Sequence, residues 1–215
     1  KKNILDMKFY KFDKLEHIEN FVFLPLQHEP ETIGMCNPIF DNQFETARIL
    51  ARNLPKNYCL AVKIHPFRSY YRSKKFMDKF KNCPNIKIIS HKVPNEKIFK
   101  KMNCLISFSG TAIFEAAILK KPAVQIGNME LMKNLPNIFF LEKLQEIDQV
   151  ISKLENSFQD YAESKSYDEK LLFYISAAYE TGFYFDKYQD DYRENKKSLD
   201  YMWSKYTEEI NKLSI

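Results

Sequence analysis

Six short apolar runs recur along the chain, each about the length of a strand. Phe21-Val22-Phe23-Leu24, closed by Pro25, is the first; Cys59 to Ile64, Ile86 to Ile89, Cys104 to Ser107, Pro122 to Gly127 and Ile138 to Leu141 follow. Their apolar residues run nearly without interruption, whereas a strand with one wet face alternates apolar and polar residues. Strands of this kind are buried on both faces, the condition of a parallel sheet covered by helices. Helical spacing appears between them. Phe40, Phe44, Ala47 and Ala51 share one helix face, with Pro38 near its start. Phe76 to Phe80 and Ile98 to Met102 give short helices, Gly110 opens another, and Leu144, Ile147, Ile151 and Leu154 mark an amphipathic one. Beyond residue 156 the strand signals stop, and Leu199, Met202, Trp203, Tyr206, Ile210 and Leu213 trace one face of a long terminal helix. The expected fold is α/β. A Rossmann-like parallel sheet occupies residues 19–155, a lead-in segment or linker precedes it over 1–18, and a helical C-terminal extension covers 156–215.

Composition excludes several classes. With 45% hydrophobic and 28% charged residues the chain is expected to fold rather than stay disordered. No apolar run approaches the roughly 18 residues of a membrane span, and no signal-peptide pattern is present. The chain begins at Lys1-Lys2 without a methionine, as a fragment or processed product would. Cys36, Cys59, Cys83 and Cys104 form no CxxC pair, and Cys59 and Cys104 sit inside strand-like runs, where a thiol behaves as a small hydrophobe. A reduced, cytoplasmic protein is the expectation. The net charge of +5 is mild and distributed. It permits contact with anionic substrates or a membrane surface and requires neither.

Open α/β sheets bind ligands at the carboxyl ends of their strands, so the loops that follow the apolar runs carry the functional reading. After the first run, Gln27-His28-Glu29-Pro30-Glu31 brings an amide, an imidazole and two carboxylates into one short loop; a polar turn shaped by Pro30 is the plain alternative. After the second come His65-Pro66 and then Arg68, Tyr70, Tyr71 and Arg72. An imidazole there can donate to a phosphate oxygen, and guanidinium groups can add paired bonds. The fourth run leads into Ser107-Phe108-Ser109-Gly110-Thr111, which opens a helix. Gly110 allows close backbone approach, and the Ser109 and Thr111 hydroxyls can bond phosphate oxygens beside free N–H groups. Glu115 lies one turn further, within reach of a hydroxyl-bearing group; an N-capped helix with a surface glutamate is the alternative. The fifth run ends in Gln125-Ile126-Gly127-Asn128, where Gly127 can admit a ligand or simply form a turn. His91, after the third run, is a weaker candidate.

Phe23 to Glu31, Val62 to Pro66, Ser107 to Ala116 and Lys120 to Asn128, in this order, resemble the capsule polysaccharide biosynthesis family. That family contains GT-B-type glycosyltransferases, including enzymes that transfer Kdo from CMP-Kdo. Related patterns occur in teichoic-acid polymerases and sugar-nucleotide 2-epimerases. The likeness spans roughly residues 20 to 130 and implies half of a GT-B fold, the half that binds the nucleotide sugar. By position, it implies that His65 contacts a donor phosphate and that Ser109, Gly110 and Thr111 form the phosphate-binding helix start. Glu115 would face the nucleotide's sugar or base, with Gln27 and Glu31 at the interdomain cleft. Arg68, Ser107 and Gly127 complete the expected donor set.

An inverting transfer needs a base for the acceptor hydroxyl and donors that stabilise the departing phosphate. Glu31, Glu29 and His28 are the clustered candidates for the base. No Asp-x-Asp pair stands at a strand end, and Asp190-Asp191 lies in the helical tail, so metal independence is expected, with no cofactor beyond the nucleotide-sugar substrate. Expected partners are an oligosaccharide or lipid-linked saccharide acceptor and an N-terminal domain or membrane-associated capsule machinery, not nucleic acid. The expected location is cytoplasmic, peripheral at the inner face of the membrane. Two other readings stay open: a 2-epimerase or glycerophosphate polymerase on a similar fold, and a non-catalytic module whose tail binds a partner.

Overall fold

The computed structural model describes residues 10–27, 42–65, 74–108, 111–127 and 132–181, with scattered helical positions between 196 and 208. Six strands form, at nearly the expected places: β1 (Phe21–Pro25), β2 (Cys59–Lys63), β3 (Ile86–Ile89), β4 (Cys104–Ser107), β5 (Ala123–Ile126) and β6 (Ile138–Leu141). Between and after them run α1 (Gln43–Asn53), α2 (Lys74–Lys81), α3 (Asn95–Lys101), α4 (Thr111–Ile118), α5 (Ile147–Ala162) and α6 (Lys165–Thr181). The sheet order is β3-β2-β1-β4-β5-β6 and every pairing is parallel. This is the doubly wound order, with a switch point between β1 and β4, where the chain reverses its direction of travel across the sheet.

Side chains alternate across the sheet, and each face has its own layer. Val22, Leu24, Leu60, Val62, Ile88, Cys104, Ile106 and Val124 join a buried cluster with Leu50 of α1, Phe80 of α2 and Ile151 and Leu154 of α5. The opposite set, including Phe23, Ala61, Leu105 and Ala123, meets α3 and α4; the Phe23 and Phe99 rings lie 6.0 Å apart, edge to face. Both faces of β1 are thus sealed, and its four apolar residues are fully buried.

Local chemistry sets the ends. The Asn42 side chain caps α1 by accepting from the Phe44 and Glu45 N–H groups, and α1 ends at Leu54, extended before Pro55. α4 ends with Lys120 in the left-handed region, φ 52°, where the N–H groups of Lys120 and Lys121 return to the Ala117 and Ala116 carbonyls. A non-glycine residue there is strained by roughly 1–2 kcal/mol. The Lys120 ammonium meets Asp168 at 2.9 Å and lies over the Tyr167 ring, which offsets part of that strain.

Part of the lead-in segment belongs to the sheet. Leu15 and Ile18 are buried, and Asp13 bridges to β3, giving its N–H to the Ile88 carbonyl and accepting the Ile88 N–H on its carboxylate. The chain divides into two compact units, Lys1–Leu171 and Leu172–Ile215. In the second, Trp203 lies in a helical stretch; Leu199, Met202, Tyr206, Ile210 and Leu213 of the expected stripe fall outside the described residues. Among the described residues no helix is long and apolar enough to cross a membrane.

Candidate functional site

The strands' carboxyl ends bring together the described members of the expected site. Gln27 follows β1, His65 follows β2, Ser107 ends β4, Thr111 and Glu115 stand on the first turns of α4, and Gly127 follows β5. Thr111 and Glu115, four residues apart, share one helix face. His65, Thr111 and Glu115 are exposed, Gln27 and Gly127 half-buried. Gly127 has φ 83°, which its lack of a Cβ makes accessible at the turn leaving β5. His28, Glu29, Glu31, Arg68, Ser109 and Gly110 lie outside the described residues.

The floor of this edge is polar, against the trend of the rest of the core. Register pairs Pro25 with Lys63 and Ser107 with Gln125, and the last β1–β4 pair, Phe23 with Leu105, lies two residues before Pro25 and Ser107. Lys63, Ser107 and Gln125 therefore stand in one row across β2, β4 and β5, on the face covered by α3 and α4. All three are buried, at 7%, 0% and 0% exposure. Apolar side chains would fill such a row at less cost, since buried polar groups must be desolvated and satisfied. Gln125 Nε2 donates to the Gly127 carbonyl at 3.4 Å, which ties the row to the turn above it.

The Lys63 ammonium donates to the Val93 carbonyl at 2.7 Å and to Asn95 Oδ1 at 2.6 Å. It thereby anchors the β3–α3 connection at the same sheet edge. Burial pushes its pKa below the ordinary lysine value, and the Glu115 carboxylate pulls it partly back. His91, in that connection, is held below the usual imidazole range first by burial, then by the charges of Lys92 and Lys63. Its ring stacks edge-on against Phe12 of the lead-in segment. On the other side, the Gln43 amide clamps the chain leaving β1: the Gln27 N–H donates to its Oε1 at 2.6 Å and its Nε2 donates to the Gln27 carbonyl at 3.2 Å.

Lys63 and Gln43 carry no expectation from the sequence. Lys63 sits inside an apolar strand run and Gln43 at a helix start. The available signal was the misplacement itself, a lysine in a strand otherwise built to be buried on both faces.

A cavity of about 290 Å³ opens at the opposite, amino edge of the sheet, lined by Tyr58, Lys101, Cys104, Lys120, Lys121 and Glu155 among others. Its groups are already engaged with the protein. Lys101 donates to the Leu15 and Glu16 carbonyls, Lys120 pairs with Asp168, and the Tyr58 hydroxyl donates to Glu155 Oε1 at 2.5 Å. The carboxyl edge is the better site on chemical grounds, since a doubly wound sheet takes its ligands there.

No family model matches the chain, and no curated protein does. Solved structures do. The S. aureus MnaA–UDP co-structure aligns with a TM-score of 0.48 at 18% identity, over 72% of this chain and 43% of that one. The UDP-GlcNAc 2-epimerase from Neisseria meningitidis bound to UDP-GlcNAc aligns at 0.48 and 13% identity, over 77% and 46%. The wall teichoic acid polymerase TagF aligns at 0.49 and 15% identity, over 82% and 42%. The chain spans less than half the length of each of these proteins.

Proposed function

We propose that this chain is the nucleotide-sugar-binding part of a GT-B-type glycosyltransferase that builds a surface polysaccharide. The observation that carries the reading is the placement of His65, Thr111, Glu115 and Gly127 along the carboxyl edge of a sheet of order β3-β2-β1-β4-β5-β6. That edge is where such sheets hold nucleotides. The family resemblance of the motif order adds the sugar-nucleotide class.

In this reading His65 donates to a donor phosphate and the Ser109–Thr111 segment meets the same group at the start of α4. Glu115 accepts from a hydroxyl of the nucleotide's sugar. As the glycosidic bond to phosphate breaks, charge grows on the departing phosphate oxygens, and these donors stabilise it. The acceptor hydroxyl passes its proton to a base, for which the loop from His28 to Glu31 is the source within this chain. A partner domain supplies the acceptor surface.

Calorimetric titration with CMP, CDP, UDP and GDP tests the reading. One of them should bind tighter than millimolar, and His65→Ala should weaken it about tenfold, the order of one charge-assisted hydrogen bond. Failure of all four to bind removes the donor-site reading. Binding that ignores His65→Ala removes the role of His65. Product analysis with UDP-GlcNAc separates transfer from 2-epimerisation.

A further inference from the structure

Lys63 is an anomaly that packing does not explain. Its side chain is buried, yet among the described residues no carboxylate forms an ion pair with it. The two oxygens it meets, on Val93 and Asn95, are neutral, and they use two of its three N–H donors. Among the described residues, the acidic group whose charge reaches it is Glu115, an exposed residue on α4. A buried ammonium without a counterion is costly, and an apolar side chain of similar size would serve the strand better. Its position removes the oddity. Lys63 lies in the row with Ser107 and Gln125, at the level of the sheet where β1 and β4 part and the nucleotide reading needs positive charge. A charge held under a helical layer is also screened far less than a surface lysine.

We propose that Lys63 is the resident cation of the carboxyl-edge site and that the phosphate of the bound nucleotide is its missing counterion, an inference that rests on the donor-site reading above. Val93 and Asn95 hold the ammonium in place without neutralising it. Among the described residues, the titratable groups that face it are Glu115 on α4 and His91 on the β3–α3 connection. Asn95 on α3 has no charge. An anion entering the crevice gains Lys63's attraction and meets Glu115's repulsion, and Glu115 is free to turn that carboxylate to a sugar hydroxyl.

The test separates phosphate from nucleoside. The native chain, Lys63→Met and Lys63→Arg are titrated calorimetrically with CDP and UDP and with cytidine and uridine. Lys63→Met should weaken the diphosphates at least tenfold and change the nucleosides less than twofold; Lys63→Arg should retain most of the diphosphate affinity. A merely structural lysine would weaken nucleotide and nucleoside alike, and that result, or no change in either, overturns the role of Lys63 alone. Loss of all binding by the native chain overturns the donor-site reading and this inference with it. Should Lys63→Met fail to fold, the native chain decides. CDP affinity should fall as pH rises to the ordinary lysine value of about 10.4 and the ammonium discharges, while cytidine affinity stays level. A level CDP affinity across that rise overturns the inference.

Discussion

Gln43 governs the backbone that leaves β1. A single buried amide accepts from the Gln27 N–H and donates to the Gln27 carbonyl, so the chain leaves β1 on a set path. Gln43→Leu keeps the bulk and removes both bonds. It should lower stability by about 1 kcal/mol, the order of the net worth of a hydrogen bond to a half-buried main-chain group, as read by urea unfolding. The same variant should weaken nucleotide binding more than its loss of stability accounts for, because the Gln27 backbone at the end of β1 is no longer held. Lys63 carries the complementary lesson. The polar row at this edge is built from buried side chains, and these are the residues that strand patterning treats as core.

At the scale of elements, helices are held to their neighbours by a few deliberate polar contacts. Tyr167, fully buried at the start of α6, donates its hydroxyl to the Ala117 carbonyl at the end of α4 at 2.7 Å, with Phe158 and Tyr161 edge-on to its ring. Tyr167→Phe should cost about 1 kcal/mol in a urea titration, the net worth of one such bond plus a stranded acceptor. The strands themselves were legible beforehand. Near-continuous apolar runs such as Phe21 to Leu24 and Cys104 to Ile106 have one comfortable home, between two helical layers, and all six form close to their expected limits. The carboxyl-edge positions of His65 and Thr111 were legible too, since His65 follows the second apolar run directly and Thr111 comes four residues after the fourth. The polar row was not. Ser107 drew notice because a glycine-containing turn follows it, whereas Lys63 belongs to a cross-strand register that only the folded sheet creates. Gln43 escaped for a similar reason: its partner stands sixteen residues away in sequence.

For the whole molecule, buried phenols set the alkaline limit. Burial, aided by Asp78 and Asp13, pushes Tyr10 up to about 12; burial and Glu155 raise Tyr58, and burial with Tyr161 and Asp168 raises Tyr167. Each folded-state pKa lies above the unfolded value near 10, so each contributes stability that is fully present below about pH 10 and is lost as pH climbs through the folded values. Lys63 has the opposite sign. Its lowered pKa lets stability rise with pH between its folded value and about 10.4, but three phenols outweigh one ammonium above that point. Urea midpoints measured from about pH 8 to about pH 11 should begin to fall above about pH 8.5, where the Cys59 and Cys104 thiols, raised by burial, start to cost stability, and fall more steeply beyond about pH 10. A midpoint unchanged across the whole range would contradict the buried phenols.

Asp13 has a consequence of another kind. By taking both the N–H and the carbonyl of Ile88, it occupies the outer rim of β3 with a single residue where a further strand would otherwise lie. Bare rims of sheets are templates on which strands of other molecules assemble. The carboxylate therefore acts as a stopper against self-association. Replacing it with alanine would be felt first as clouding of a concentrated solution rather than as a lower melting temperature.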